Sequence, residues 1–462
     1  MSNSPRASTL PFQTDFSASE LTLRRRQFLA ELEGGLAVLA SAPEVPGYDP
    51  IRQDNDFYYL TGIEGSHAYL TLDVQSGRGV LYLPPHDPKH EKSDGPTLCH
   101  EDGDAVRVRT GIDEVRPLSR LVADLTGLVG TLWLAHAPAE NIRQCQDTLR
   151  HWQRRIAADP LDARPSREAH LRDRITALSP GVLVRDFSPA LHRQRLQKSP
   201  AELTLMRHAA TLTALACIEA MKASRPGVFE YQLGAVADYV FLAAGARSAG
   251  YRPIIATGAN IWMMHYWRNN TALRAGDLVL FDYAPDFRYY TSDIGRMWPV
   301  NGTYSPLQRE LYGFVLEHHN LLLSLIRPHV TKAQVLAEAA EKLRPVVEAR
   351  SWSKPVYRTA ALRLLESPRP LSHGVGMPVH ESAAWYDRPM SPGLVFALDP
   401  ELVVPEEELY IRVEDTVVVT EDGCENLTAG CPREIDEVEA LLRASVADCS
   451  GLIQHLPPIA FV

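Results

Sequence analysis

Three apolar runs in this 462-residue chain each end in an acid, and that pattern constrains the fold more than any other. Leu278-Val279-Leu280-Phe281 runs into Asp282, Leu394–Leu398 into Asp399-Pro400, and Tyr410–Val413 into Glu414-Asp415. Short apolar runs of this kind read as buried strands. A carboxylate at the end of a buried strand is costly unless something pairs it. A further acid, Asp293, stands eleven residues after Asp282 in a second β-rich run. Pro285 cannot donate to a central ladder, so a turn begins near it. A turn centred between Phe287 and Arg288 sets Asp282 directly opposite Asp293, with Cβ atoms about 4.5–5.5 Å apart on one face. Like charges that close require a shared proton, an arginine or a metal cation between them. Arg296 falls on the opposite face of its strand. A cation would draw more oxygen ligands and an imidazole.

Candidate ligands lie downstream. Ser372-His373-Gly374-Val375-Gly376-Met377-Pro378-Val379-His380 carries two histidines seven residues apart, and its glycines allow close backbone approach. A lone histidine is usually structural; two beside Gly-x-Gly favour a site. Structurally satisfied, hydrogen-bonded acids would have to arise separately at the end of each of the three strands.

The bulk numbers describe a globular protein, with 45% hydrophobic and 23% charged residues, long enough for two domains. A net charge of −10 argues against nucleic acid or an anionic membrane as partner. No apolar run reaches the roughly 18–20 residues that span a bilayer. Arg25-Arg26-Gln27-Phe28-Leu29 has the look of a twin-arginine export signal, but Glu31 and Glu33 interrupt its apolar core, and an amphipathic helix is the expectation. Six cysteines (99, 145, 217, 424, 431 and 449) show no CxxC and no dense spacing, as expected of reduced thiols in the cytoplasm.

Residues 1–16 are expected to be disordered. Strands are expected at 36–40, 57–59, 68–72, 79–83 and 131–134, and helices at 19–33, 117–124 and 139–157. His86–Gly95 reads as a charged surface loop, and the arginine-rich stretch 153–175 as a solvated helical face. Ser199-Pro200-Ala201-Glu202 opens a helix, with Ser199 as cap, Pro200 in the first turn and Glu202 closing a capping box. Further helices are expected at 231–244, 306–326, 332–349 and 434–446, with strands at 252–257, 277–283, 289–299, 393–399, 409–413 and 416–420. Alternating helix and strand place a first domain at 17–190 and a second at 191–462, an α/β (α+β) chain overall.

These residues resemble the pita-bread metallopeptidases, meaning aminopeptidase P and prolidase. The family pattern is Asp, eleven residues, Asp; then His in Ser-His-Gly-x-Gly; then Glu-Pro; then Arg-x-Glu-Asp. Asp282, Asp293, His373, Asp399-Pro400 and Glu414 follow it in order, with His265 upstream and His380 as the second histidine. Ile51-Arg52-Gln53-Asp54-Asn55-Asp56-Phe57-Tyr58-Tyr59-Leu60-Thr61-Gly62 resembles the aminopeptidase P N-terminal signature. The resemblance covers about 17–435. It implies a creatinase-like N-terminal domain and a C-terminal pita-bread domain.

It further implies two divalent ions, Mn²⁺ first with Co²⁺ or Zn²⁺ as alternatives, held by Asp282, Asp293, His373, Asp399 and Glu414. Water activated between them would cleave the Xaa-Pro bond of proline-containing peptides. His380 would donate to the oxyanion and His265 would position substrate; Arg412 would orient a ligand carboxylate or bind substrate. The implied enzyme is an Xaa-Pro aminopeptidase, a homodimer or homotetramer. Alternatives are an Xaa-Pro dipeptidase (prolidase) and a non-catalytic pita-bread binding protein.

Three departures stand out. The family glutamate is Asp399, one methylene shorter, and that glutamate is also the suspected general base. Glu401 is nearby, but alternation points it to the other strand face. Arg369 replaces a histidine four residues before His373, and binds a substrate carboxylate or is a surface arginine. The family's Asp-x-Gly, Gly-Tyr and Ser-Asp-x-Thr-Arg read Asp282-Tyr283-Ala284, Tyr289-Tyr290 and Ser292-Asp293-Ile294-Gly295-Arg296.

Overall fold

Arg24 and Arg25 are both buried, within the helix Ala18–Ala30 that Ser17 caps. Their guanidinium groups donate to the carbonyls of Tyr59 (3.2 Å), Leu60 (2.8 Å) and Thr110 (2.8 Å). Tyr59 and Leu60 lie in the last turn of a second helix, Asn55–Thr61, so the paired arginines satisfy carbonyls that a helix C-terminus leaves open. The arginine pair therefore organises the fold of the N-terminal region.

The computed structural model describes residues 10–447 apart from Pro46, so residues 1–9 and Cys449 lie outside the described residues. The chain forms two compact units, one ending at Arg195 and one beginning at Leu196. The first contains β1 (Leu36–Ala40), β2 (Tyr69–Asp73), β3 (Gly79–Leu83), β4 (Glu114–Pro117), β5 (Gly130–Leu134) and β6 (Val182–Asp186) in one sheet of order β4-β3-β2-β1-β5-β6. Val38, Val80, Tyr82, Leu132 and Leu134 pack with Ile175 of the helix Arg167–Leu178. Within this unit Arg52 donates to Asn55 at 2.8 Å, and Arg195 bonds Asp56 and Glu140.

Several expectations need correction. Residues 57–59 are helical: Asp54 supplies an extended N-cap and Gly62 a left-handed C-cap (φ 65°), and three aromatics that look β-prone are buried on the helix instead. Leu10 and Phe16 are buried, with Arg24 over the Phe16 ring at 4.0 Å, so the disorder expected for 1–16 does not extend over 10–16. His86–Gly95 contains a short helix, Pro88–Asp94, capped by Asp87, although none of its side chains is buried. The helix expected from residue 139 starts at Gln146, and the one expected at 117–124 is a 3₁₀ turn followed by Leu121–Asp124. Strands β4 and β6 and the helix Pro355–Glu366 were not anticipated.

The second unit contains β7 (Ser248–Ala249), β8 (Ile254–Thr257), β9 (Leu278–Asp282), β10 (Pro285–Asp286), β11 (Ile294–Pro299), β12 (Leu371–Gly374), β13 (Val395–Leu398), β14 (Glu401–Val404), β15 (Leu409–Arg412), β16 (Glu414–Val419) and β17 (Cys424–Asn426). The main sheet runs β12-β13-β16-β11-β9-β8, with β17 on β16; β7 pairs β10 and β14 pairs β15. The helix Pro200–Ala223 begins as expected, with Ser199 and Glu202 each bonding the other's backbone N–H.

Alternation divides the main sheet chemically. Phe396, Leu398, Val417 and Val419 pack against Leu322, Val335 and Ala339 from the helices Pro306–Leu325 and Lys332–Ala349. Asp415 shares that face of β16. Arg296 donates to its Oδ1 at 2.6 Å, as does the Thr428 hydroxyl at 2.6 Å, and His319 Nε2 lies 3.1 Å from its Oδ2. Burial alone would raise Asp415, but Arg296 and His319 outweigh it and hold the carboxyl well below its usual range. Glu414 and Thr416 then face the other way.

Asp415→Asn leaves the fully buried Arg296 guanidinium without its charge partner. We expect a loss of about 3–5 kcal/mol, read as a lower urea midpoint at unchanged m-value. Because the folded pKa is depressed, the Asp415 contribution is present above the unfolded carboxylate range and is lost as the pH falls through the folded value. A loss below about 1 kcal/mol would show that this pair does not anchor the sheet.

Candidate metal centre

The three strands that end or begin in acids lie in one sheet, β13 beside β16 and β9 beyond β11. Asp282 of β9 pairs with Gly295 of β11, and Gly295 pairs with Glu414 of β16. Leu398 of β13 pairs with Asp415, so Asp399, one residue on, extends the row beside Glu414. The row reads Asp282, Gly295, Glu414, Asp399. Asp293 stands two residues before Gly295, on the same face. Each acid is at least 95% buried.

This register corrects the hairpin expected from sequence. Phe287 bridges Tyr290, and the two residues between them, Arg288 and Tyr289, have φ of 50° and 77°. Two positive φ values at the central positions match a type I′ turn, whose usual asparagine-glycine signature is absent here. The turn therefore sits one residue later than expected, and Asp282 faces Gly295 rather than Asp293. Asp282 and Asp293 share a face as diagonal neighbours, and β11 begins only at Ile294.

Arg412 ties the row together. Its Nη1 donates to Asp282 Oδ2 at 2.8 Å, its Nε and Nη2 to the two oxygens of Asp399 at 3.0 and 2.9 Å, and its Nη2 also to Glu414 Oε2. Asp293 accepts from the Tyr251 hydroxyl at 2.7 Å, and its backbone N–H donates to Thr416 Oγ1 at 2.7 Å. Tyr251 is a site residue that the sequence did not single out; nothing in Gly250-Tyr251-Arg252-Pro253 marks it.

The glycine loop brings the histidines in. Glu381 N–H donates to Gly374 O at 2.8 Å, and a Cβ on Gly376 would lie 2.6 Å from Glu381 Oε1. Only glycine fits against that folded-back carboxylate. The His373 and His380 rings lie 4.0 Å apart, and His373 Nε2 is 3.5 Å from Asp293 Oδ2. His265 lies farther out, its ring 6.5 Å from that of His380. His265, His373, His380, Asp282, Asp293, Asp399 and Arg412 line a cleft of about 190 Å³.

Arg369 lies at the same cleft, but it is apart from the acids of the row: 60% exposed, it pairs with Glu401 at 3.1 Å. Glu401 also lines the cleft and accepts from Tyr410 at 2.6 Å, contrary to the expectation that it faces away. The chain turns a corner at Asp399-Pro400, and Glu401 starts β14, so the alternation of β13 does not carry through.

Asp293, His373 and Glu414 each offer a ligand atom within 4.8 Å of the others, a separation that suits one cation. Asp282 Oδ1 and Glu414 Oε1 are buried without a hydrogen-bond partner among the described residues. Burial and the neighbouring Asp282 push Asp293 up to about 7. Burial also raises Asp399 and Glu414, with Arg412 drawing each back. Four buried carboxylates thus face one guanidinium, and a divalent cation fits the shortfall.

Comparison with known proteins agrees with this geometry. Residues 204–421 match the model of metallopeptidase family M24, and residues 21–132 that of the aminopeptidase P N-terminal domain. The Xaa-Pro aminopeptidase of Escherichia coli K12 is 31% identical over 94% of this chain and 99% of its own. The chain belongs to metallopeptidase family M24. An Escherichia coli aminopeptidase P solved with substrate superposes with a TM-score of 0.75 at 29% identity, covering 94% of this chain and all of that one. The Pseudomonas aeruginosa aminopeptidase PepP gives 0.73 at 28%, over 94% and 99%. The M24 chain thus has the N-terminal α/β domain and C-terminal pita-bread domain of those structures, and divalent metal ions belong to its family.

An ion held by Asp293 would displace the proton that its raised pKa retains. At pH 6, Mn²⁺ binding is expected to release about one proton per chain from this group, and the release should fade above pH 7. Calorimetry in two buffers of different ionisation enthalpy measures it; a release that is flat across pH 5–8 would exclude Asp293 as a ligand.

Proposed function

We propose that this M24 metallopeptidase is an Xaa-Pro aminopeptidase that hydrolyses the bond between the first residue and a following proline, with a divalent metal ion as cofactor. The observation that carries the proposal is the buried row of carboxylates beside paired histidines, with more negative charge than Arg412 balances. Manganese suits the oxygen-rich donors best. Asp293, His373 and Glu414 would hold the ion, with Asp282 offering its unpartnered oxygen. When bound, the ion supplies Lewis acidity toward the scissile carbonyl and acidifies a water.

The chain's own residues supply the rest. His380, whose ring neighbours that of His373, stands to donate to the oxyanion as the carbonyl becomes tetrahedral. Burial lowers the pKa of His265, so its imidazole is neutral at pH 7 and positions the peptide without adding charge. Asp282, at the inner wall, accepts the substrate's protonated α-amine, which limits cleavage to the chain's N-terminus. An Xaa-Pro bond is a tertiary amide with no N–H to offer an ordinary protease subsite. Asp399 is a poor general base, since both of its oxygens are engaged by Arg412.

The pairing of Arg369 with Glu401 favours the aminopeptidase over the dipeptidase. An arginine already neutralised by a carboxylate is a weak anchor for a dipeptide's C-terminal carboxylate. Cys99, Cys145, Cys217, Cys424 and Cys431 are present as thiols, which supports a reducing, cytoplasmic location. No described helix is long and apolar enough to cross a membrane. A homodimer or homotetramer completes the proposal.

The Mn²⁺-loaded protein should release the first residue from Xaa-Pro-Xaa peptides and leave Gly-Pro intact. Cleavage of Gly-Pro alone would reverse the assignment to a dipeptidase, and cleavage of neither would favour the non-catalytic binding protein. His380→Ala should lower kcat about 10²–10³-fold with little change in KM. Arg369→Ala should leave kcat/KM on tripeptides within about fivefold, as expected for an exposed ion pair.

A further inference from the structure

We infer that this chain holds one divalent ion, at Asp293, His373 and Glu414, and that the Arg412 guanidinium takes the place of a second. The inference rests on the metallopeptidase reading above and concerns how many ions that site admits.

Asp399 is the first observation. Nε and Nη2 of Arg412 engage its two oxygens at 3.0 and 2.9 Å, a parallel two-bond clamp. A dication approaching those oxygens meets a full positive charge about 3 Å behind them, a repulsion of several kcal/mol at the dielectric of a buried site. Arg412 is itself only 5% exposed and holds Asp282 and Glu414 as well, so it cannot swing away without leaving three acids unpaired.

Gly295 is the second, independent observation. It is the second residue of a fully buried strand and pairs on both sides, a position where glycine weakens the sheet. Its φ is not in the left-handed region, so no turn requires it. A Cβ at this position would lie 2.9 Å from Arg412 Nε, 2.9 Å from Glu414 Cβ and 3.0 Å from Glu414 Oε2. The missing side chain is the space in which Arg412 and Glu414 sit. Residues 295 and 399 are also two of the positions where the sequence departs from the family pattern: threonine becomes Gly295, and glutamate becomes Asp399. The structure joins the two departures through one guanidinium. The glycine admits it, and the carboxylate, shorter by one C–C bond of about 1.5 Å, is retained by it.

The donors left over suit one ion. Glu414 keeps Oε1 unpartnered among the described residues, and Asp293 and His373 offer atoms within 4.8 Å of it and of each other.

Metal-free protein titrated with Mn²⁺ tests this by calorimetry, elemental analysis and electron paramagnetic resonance. The wild type should bind one equivalent per chain and show the resolved six-line signal of an isolated ion. The double variant Gly295→Thr/Asp399→Glu should bind two equivalents and show a broadened, exchange-coupled signal. Two equivalents with a coupled signal in the wild type would overturn the inference and leave the peptidase assignment standing. No bound ion in the folded wild type would overturn both. A folded double variant that still binds one ion would remove the role given to residues 295 and 399. Should that variant not fold, the wild-type count and line shape decide the question alone.

Discussion

Everything in the second unit is arranged around a row of buried acids that repel one another. Asp399 and Glu414 are neighbours in one row of the sheet, Asp282 stands two strands from Glu414 across Gly295, and Asp293 lies on the same face. Neighbours in such a row lie within about 5 Å, and one guanidinium, that of Arg412, reaches Asp282, Asp399 and Glu414 alike, so the acids share one pocket. Arg412 offsets part of the repulsion and a cation must offset the rest. The contrast between Glu414 and Asp415 makes the point locally. The two are sequence neighbours, both fully buried, on opposite faces of β16. Asp415 is satisfied by Arg296 and Thr428 and flanked by His319, and its charge belongs to the fold. Glu414 keeps an oxygen unpartnered and its pKa is raised, and its charge awaits a ligand. Burial alone does not separate the two acids, and each keeps one oxygen without a hydrogen bond among the described residues; the cations around them do, since Asp415 has Arg296 and His319 to itself while Glu414 shares Arg412 with Asp282 and Asp399.

Much of this was readable before any coordinates. Apolar runs ending in acids marked the strands of the row, because a buried strand has few reasons to end in a charge. The candidate acids and the two histidines could be named from their order alone, and strands β9, β13 and β16 lie close to where the apolar runs place them. What failed was local geometry. The hairpin turn is built from Arg288 and Tyr289 at positive φ, with none of the glycine or asparagine that normally marks such a turn, so the register was misjudged. A register error that moves partners by two residues keeps every side chain on its face, which is why the prediction of a shared face survived it.

Other misreadings share one cause: period and propensity are local, and tertiary partners override them. Phe57–Tyr59 is aromatic and β-prone, yet it lies in a short helix whose carbonyls receive Arg24 and Arg25 from another helix. One of them, Arg25, also belongs to the Arg25-Arg26 pair that resembles an export motif in sequence, and it lies buried in a helix with carbonyl partners. Glu401 was sent to the wrong face because alternation was carried across Asp399-Pro400, where one strand ends and another begins. Tyr251 left no trace in sequence, since a tyrosine becomes a site residue only through the 2.7 Å contact it makes with Asp293.

The two departures at 295 and 399 also explain why neither is informative alone. A shorter acid by itself suggests a weakened ligand that a small strand shift could restore. A glycine in a strand by itself suggests a tolerated loss of packing. Set in one row and bridged by Arg412, they describe a single rearrangement in which a fixed organic cation takes over a role that an exchangeable inorganic one could fill. A guanidinium cannot polarise a carbonyl as a divalent ion does, and it cannot be lost to a chelator. A site built this way would keep its row of acids paired in the absence of metal, and would depend on one exchangeable ion for its chemistry.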